Sequence, residues 1–490
     1  MVFKFTALDA DIGQVQVIDK YPVGEAQVYI TSTGQYLIKE PPLSQEEYEI
    51  YGTMVEHLMN SLPFIDRLET DQEKIHHLET HIWKEAQDTG QVEKVSKFFD
   101  RLRYYIIREV IGYGIFDVLV NDDDVEEILA ERFDTDVGII HRKHSESHIL
   151  DTNIVIGKSD EMNSYVSRLV QKTGKSVNIS KPIMDGTTKA KHRITVTFSN
   201  EVSLNGPTIT IRKFPSKPYT ITHLLQFGTI SRLMAAYVWM LIDAKAFGLI
   251  VGETGSGKTT LINSLMTMAN PRWRILTIEE TPELQIPHKR VVSLKTRTSP
   301  LIRSDNDIGI MDLIKASLRM RPDFVIVGEV RGEEANEMFQ SAATGHGGLS
   351  SIHGSDIQSA LTRLAAEPIN IKPSQQMLLW FAIHSTRLKG PDGKAIRRIR
   401  ALTEINPIED GITSTDLFSY DRKTDSFGLD NLEELVKKSK RLYHVAELLG
   451  VEPVSDMQKR IKLLDQCLEK KAYDIPEVFE ILKKYYSFAD

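Results

Sequence analysis

The stretch that decides the reading runs Phe247-Gly-Leu-Ile-Val251, then Gly252-Glu-Thr-Gly-Ser-Gly-Lys258-Thr259-Thr260, then Leu261-Ile-Asn-Ser-Leu-Met266. The first segment is a short apolar run of the kind that makes a buried strand, and the last continues as a helix. Between them lies G-x-x-x-x-G-K-[ST], in the strand–loop–helix context that gives the pattern its meaning. Glycines at 252, 255 and 257 let successive backbone N–H groups turn inward without Cβ clashes. Those donors and the helix N-terminus form a nest for phosphate oxygens. Lys258 supplies a point charge for the β- and γ-phosphates, and Thr259 offers a hydroxyl to Mg²⁺. Gly252, Glu253, Thr254, Gly255, Ser256, Gly257, Lys258, Thr259 and Thr260 are therefore the nucleotide-binding candidates. The alternative is a Gly-rich turn with no ligand. A chance match in a chain this long is on the order of one in a hundred, before context is counted.

Two further apolar strands carry acids at their ends. Arg274-Ile-Leu-Thr-Ile278 runs into Glu279-Glu-Thr-Pro-Glu283, and Asp323-Phe-Val-Ile-Val327 runs into Gly328-Glu-Val-Arg331. Parallel sheets bind ligands at the C-terminal ends of their strands. A phosphate-hydrolysing site needs one carboxylate to position or deprotonate water and another to orient Mg²⁺. A single strand-end acid is more often a solvated charge, but two of them downstream of a phosphate loop reverse that preference. Ala343-Thr-Gly-His346-Gly-Gly-Leu-Ser-Ser-Ile-His353-Gly follows. Two histidines with no cysteine nearby make a zinc site improbable. Taken alone, such a pair is more often structural than catalytic.

Outward from this centre, strands alternate with helices from 219 to about 385, the pattern of a parallel sheet with crossover helices. Helical spacing recurs at Ser231–Ala244. Hairpin strands are expected at Ile396–Ile405 and Leu417–Tyr420, after a turn at Gly390-Pro-Asp-Gly393. The run Ile396-Arg-Arg-Ile-Arg400 reads as a half-buried strand with a solvated face rather than a nucleic-acid patch. Pro215 and Pro218 mark the best linker. Before it, strands are expected at Gln27–Ile30, Tyr36–Ile38, Val137–His141, Ile194–Phe198 and Thr208–Arg212. Helices are expected from Ser44, over Gln72–Glu85, over Val92–Val110 and over Glu161–Thr173. The acidic run Asp122–Glu127 lacks the spacing of a Ca²⁺ loop.

The 490 residues suggest about three domains. With 41% apolar and 26% charged residues, the composition is globular. Sixty Lys and Arg against 68 Asp and Glu give a net charge of −8, which speaks against a general electrostatic grip on nucleic acid. The lone Cys467 cannot form an intrachain disulfide or a Cys-rich zinc site, and a reducing cytoplasmic compartment fits it best. The most apolar run, Leu233–Val251, is interrupted by Asp243 and Lys245, whereas a spanning helix needs about 20 apolar residues. Asp9 and Asp11 come too early for a signal peptide.

GETGSGKTT, TIEETPEL, LRMRPDFVIVGEVRG and ATGHGGLSSIHG together resemble the type II/IV secretion ATPase superfamily. Val125–Ile128, Val137–Lys143, Val177–Pro182, Thr208–Phe214 and Tyr36–Leu43 are similar to its archaeal branch, which drives archaella and archaeal pili. The absence of a four-cysteine module fits the same branch. The resemblance implies an α/β chain: a RecA-like P-loop domain over 219–430, an α+β domain over 95–213 and a linker at 214–218. A variable region of short strands then helices would cover 1–94, and a helical extension 431–490. It implies ATP and Mg²⁺ as ligands. Glu279 would be the water-activating glutamate; Glu280 stands where the family usually has Asp. Glu329 and Thr259 would serve the metal, His346 and His353 would sense the γ-phosphate, and Arg193 and Arg212 would reach the nucleotide. It further implies a cytoplasmic homo-hexamer, peripheral at the membrane through a polytopic platform protein, powering assembly or movement of a type IV pilus-like filament, or secretion. No specific nucleic acid is expected. Two other readings stay open: a nucleic-acid-translocating ATPase on the same core, as in conjugation, and a nucleotide-regulated adaptor that does not hydrolyse.

Overall fold

A computed structural model describes residues 7–13, 15–61, 70–144, 148–215, 217–297, 307–390, 395–409 and 411–486. It divides into two compact units, 1–216 and 217–490.

In the first unit, nine strands form one sheet: β1 Val17–Val23, β2 Ala26–Thr31, β3 Gln35–Lys39, β4 Val125–Ala130, β5 Gly138–His141, β6 Leu150–Thr152, β7 Ile183–Thr187, β8 Arg193–Thr197 and β9 Thr208–Arg212. Their spatial order is β1-β2-β3-β6-β5-β4-β9-β8-β7. Among the described residues of this unit, only β3 and β6 pair in parallel. The N-terminal strands thus continue the sheet that carries Arg193 and Arg212. Buried Val28, Ile30, Ile128, Ile139, Ile194 and Ile211 line its core, as period-two alternation requires, together with the buried face of the helix Ser159–Gln171.

Helices α1 Gln45–Ser61, α2 Asp71–Asp88 and α3 Val92–Val110 form a separate apolar cluster around Met54, Ile82, Leu102 and Ile106. Ser44 caps α1: Glu47 N donates to its Oγ at 3.3 Å, and Ser44 N donates to Glu47 Oε2 at 2.7 Å. That reciprocal pair is a capping box. Short α4 Asp117–Asn121 precedes β4, and α5 Ser159–Gln171 packs on the sheet.

The second unit holds α6 Ile221–Gln226, α7 Arg232–Asp243, β10 Phe247–Gly252, α8 Lys258–Met266, β11 Ile275–Glu279, β12 Val291–Lys295, α9 Ile310–Leu318, β13 Phe324–Val327, α10 Glu334–Ala343, β14 Gly347–His353, α11 Ile357–Ala365, α12 Pro373–Gln376, β15 Phe381–Lys389, β16 Ala395–Ile408 and β17 Gly411–Ser419. The strand order is β12-β11-β13-β14-β10-β15-β16-β17. Six strands from β12 to β15 are parallel, and the last two add an antiparallel hairpin edge. This is the parallel α/β architecture the sequence implies. The expected turn at Pro391–Gly393 lies outside the described residues.

The apolar run 233–251 belongs to the interior. Every residue of α7 from Leu233 to Ile242 is buried, because the helix lies between the sheet and a helical tail. That tail is α13 Leu432–Lys438, α14 Leu442–Leu449, α15 Pro453–Glu469 and α16 Ile475–Leu482. Leu435, Val445, Met457, Leu464, Cys467 and Val478 share one core with α7, α8 and the sheet. Among the described residues no helix is long and apolar enough to cross a membrane.

Candidate functional site

Strand β10 ends at Gly252 and α8 begins at Lys258, so the loop between them sits at the C-terminal edge of the parallel sheet. Gly255 and Gly257 have φ of +75° and +93°, the left-handed region that glycine enters without strain. Gly252 is needed for a different reason. A Cβ there would stand 2.4 Å from Ser256 Oγ and 2.5 Å from the Ser385 carbonyl. Lys258 Nζ donates to the carbonyls of Gly252 at 3.0 Å and Glu253 at 3.1 Å, folding over its own loop. Ser256 is buried, and its Oγ has no partner among the described residues.

The acidic strand β11 runs parallel, separated from β10 by the two strands β13 and β14, and ends at Glu279. Glu279 is buried, and its Oε1 accepts from Glu283 N at 2.8 Å and Leu284 N at 3.0 Å. One carboxylate oxygen thus shapes the turn that follows. That turn returns Glu283 to the phosphate loop, where Thr259 Oγ1 donates to Glu283 Oε2 at 3.2 Å. Sequence reasoning did not single out Glu283; its link to Thr259 depends on a turn geometry that spacing does not encode. Glu280 faces solvent instead and pairs with Arg331 at 3.5 Å. Arg331 also grips Glu329 through Nη2 at 2.6 Å and Nε at 3.1 Å. Glu329 follows β13 at the same edge, and its turn is tied to β14 by Ser351 Oγ donating to the Gly328 carbonyl at 2.6 Å.

The two histidines of the 343–354 segment do not share a place. His353 is paired in register with Gly252 at the phosphate-loop edge. His346 precedes the first residue of β14, so the seven intervening steps carry it to the opposite edge, roughly 23 Å away at about 3.3 Å per residue. There its Nδ1 lies 2.9 Å from Thr344 Oγ1. The spacing that suggests a pair is the length of a strand. A different histidine flanks β10: His384 on β15 is in register with Val251. Burial holds its pKa below the ordinary value, Arg400 adds to this, and Asp356 and Glu253 oppose it.

In the first unit, Arg193 and Arg212 are register partners on β8 and β9. Arg193 makes a two-pronged ion pair with Asp185, Nη2 to Oδ2 at 2.6 Å and Nε to Oδ1 at 3.1 Å. Asp122, Asp124 and His141 bring ligand atoms within 4.8 Å of one another. Their atoms are already engaged: Tyr21 and Tyr36 hydroxyls donate to Asp122 Oδ2 at 2.7 and 2.6 Å, and Lys143 Nζ pairs with Asp124. The acidic run is a hydrogen-bond node joining β1, β3 and β5.

A family model described as type II/IV secretion system protein matches residues 122–383, more than half of the chain. The chain belongs to this family. Its matched span begins with the acidic run before β4 and ends inside β15, so it contains the phosphate loop, both acid-terminated strands and β14. Uncharacterized protein MJ0900 of Methanocaldococcus jannaschii is 28% identical over 95% of this chain and 88% of its own length. Conjugal transfer protein TrbB of Rhizobium radiobacter is 34% identical over 36% of this chain, and the match spans 52% of TrbB. The X-ray structure of the Legionella pneumophila ATPase DotB aligns at 14% identity over 75% of this chain and 95% of DotB, with a TM-score of 0.45.

The donor set suits a magnesium nucleotide. The loop offers backbone N–H groups and Lys258 for phosphate, and the Thr259 hydroxyl lies beside a Glu283 carboxylate oxygen. Hydroxyl and carboxylate oxygens are the hard ligands Mg²⁺ prefers.

Proposed function

We propose that this chain is an ATPase that binds Mg-ATP at Gly252–Thr260 and hydrolyses it. In this reading it works as a cytoplasmic homo-hexamer on a polytopic membrane platform protein, powering assembly or movement of a pilus-like or archaellum-like filament, or secretion. The observation that supports it best is the chain of contacts from Thr259 to Glu283 to Glu279, which joins the phosphate loop to the acid-ended strand β11. Lys258 would leave the carbonyls of Gly252 and Glu253 for the phosphates. Thr259, Glu283 and Glu329 would hold Mg²⁺, which when bound neutralises phosphate charge. Glu279, with one oxygen fixed by backbone donors, would orient or deprotonate the attacking water through the other. His353 would report on the phosphate end of the nucleotide. Arg212 and Arg193 would add positive charge at the hydrolysis step, with Arg193 first exchanging Asp185.

Phosphate release by purified protein tests this. Lys258→Ala and Glu279→Gln should each lower turnover roughly tenfold or more, with the Gln variant still binding ATP. Near-normal turnover in Glu279→Gln removes its assigned role. Arg212→Ala should bind ATP and hydrolyse it poorly in a single turnover. A second reading, a conjugation ATPase acting on nucleic acid, draws support from the similarity to TrbB. The net charge of −8 counts against it. DNA-stimulated hydrolysis that collapses with added salt would favour this alternative.

A further inference from the structure

A loop whose N–H groups converge on one face turns carbonyls to the other, and each carbonyl needs a donor. The hairpin β15–β16 supplies two of them. Ser385 Oγ donates to the Ser256 carbonyl at 2.7 Å, and Arg397 Nε donates to the Gly255 carbonyl at 3.3 Å. The Arg397 stem also lies along the loop, since a Cβ on Gly257 would stand 3.2 Å from Arg397 Cδ. Among the described residues, the Arg397 side chain donates to no other group.

Its neighbour is anchored. Arg398 is buried; it grips Asp425 with Nε at 2.8 Å and Nη2 at 3.0 Å, and Nη1 donates to the Phe227 carbonyl at 2.8 Å. The reason lies in the alternation of faces. From Ile396 to Ile399 the pairing of β16 with β15 is regular, so the adjacent Arg397 and Arg398 point to opposite sides of the hairpin. One turns inward to Asp425 and the other lies against the phosphate loop. The register shifts only beyond them, where the pairing passes from Ser385–Ile399 to His384–Ala401 and leaves Arg400 as the extra residue of a bulge.

We propose that Arg397 is a positioning residue for nucleotide binding. It pins the Gly255–Gly257 backbone in the conformation that presents its N–H groups, and it places a permanent positive charge behind an anion site. Arg398 fixes the strand that carries it. The inference rests on the phosphate-loop reading above and deepens it.

The test is titration of the full chain with a fluorescent ADP analogue, using wild type, Lys258→Ala, Arg397→Ala and Arg397→Lys. Arg397→Ala should weaken binding about tenfold, the expected effect of losing one charge-assisted hydrogen bond. Arg397→Lys should recover most of the loss, since it keeps the charge and a donor. In phosphate release, kcat/KM for Arg397→Ala should fall by the same factor, with the loss carried in KM. Thermal unfolding of ligand-free Arg397→Ala should match wild type within about 2 °C, excluding general damage. If wild type binds and Lys258→Ala does not, wild-type affinity in Arg397→Ala overturns the inference and leaves the nucleotide site intact. Equal loss in the Ala and Lys variants overturns it too. A wild type that binds no nucleotide overturns both.

Discussion

Two arginines of the second unit each hold two carboxylates, and they could hardly differ more. Arg460 on α15 is fully buried. It bonds Asp243 at 2.6 Å and Asp456 at 2.7 Å, and its guanidinium lies 4.1 Å from the Tyr485 ring centroid and 4.9 Å from that of Trp239. The Tyr486 hydroxyl donates to the remaining side of Asp243 at 2.6 Å. Arg331 is 63% exposed and shared between Glu329 and Glu280. The buried cluster has saturated its donors and acceptors with protein and ties the helical tail to α7. The exposed one keeps its partners in water, where a cation or phosphate can replace any of them. A buried pair stripped of one partner leaves an uncompensated charge in low dielectric, which costs about 3–5 kcal/mol. Arg460→Leu, which strands Asp243 and Asp456, should therefore lower unfolding stability by about that much, read from the midpoint of denaturant unfolding. A change under about 1 kcal/mol would put this cluster in the same class as a surface pair.

The same contrast separates what the amino-acid sequence makes legible from what only the fold reveals. Strands β10, β11 and β13 are legible because buried parallel strands are continuous apolar runs, and the phosphate loop is legible because its glycines and lysine are dictated by ligand chemistry. Strand β14 is hidden. Gly347-Gly-Leu-Ser-Ser-Ile looks like a small-residue turn, yet a Cβ on Gly347 would stand 2.6 Å from the Phe324 ring, and one on Gly348 3.1 Å from Phe247. The residues are small because aromatic rings already fill the space above a central strand. Missing that strand places His346 beside His353 and overlooks His384. The tail reads as helices, but nothing local says that Leu464 and Cys467 complete the core around α7. Burial against a distant partner leaves an amphipathic stripe and no address. Glu283 and Arg397 are lost for a related cause, since a turn and a long-range packing of the hairpin on the phosphate loop set their contacts.

In the first unit the buried charge question falls on a histidine. His141 Nδ1 accepts from the N–H groups of Lys143 and His144, both at 3.2 Å, and its Nε2 lies 2.9 Å from the Tyr21 hydroxyl. Burial lowers its pKa to about 4, with Asp122 opposing. His192 is likewise lowered to about 4, by burial and Lys213. An unfolded chain takes up these protons near pH 6.5, and the folded chain only near 4. Stability should therefore be complete above about pH 6.5 and fall as pH drops toward 4, by up to about 3 kcal/mol for His141. Urea unfolding across that range, followed by a probe in the first unit, measures the slope. His141→Asn, which keeps an acceptor near the Nδ1 position, should flatten part of it. An unchanged slope would mean that His141 is protonated in the folded state.

The smallest effect on stability belongs to Arg331, and it is the sharpest test of the comparison. Exposed ion pairs contribute about 0–1 kcal/mol, so Arg331→Ala should barely move the unfolding midpoint. Its effect should appear elsewhere. Arg331 holds Glu329 Oε2 with two hydrogen bonds, and a Mg²⁺ ion drawn to that carboxylate would compete with the guanidinium's charge. Removing the guanidinium leaves the acid free, so the Mg²⁺ concentration for half-maximal ATP turnover should fall, by about twofold to threefold for a surface pair of this strength. A higher requirement would reverse the assignment: Arg331 would then be holding Glu329 in place for the metal, and the exposed cluster would be a scaffold after all, as Arg460 is for the tail.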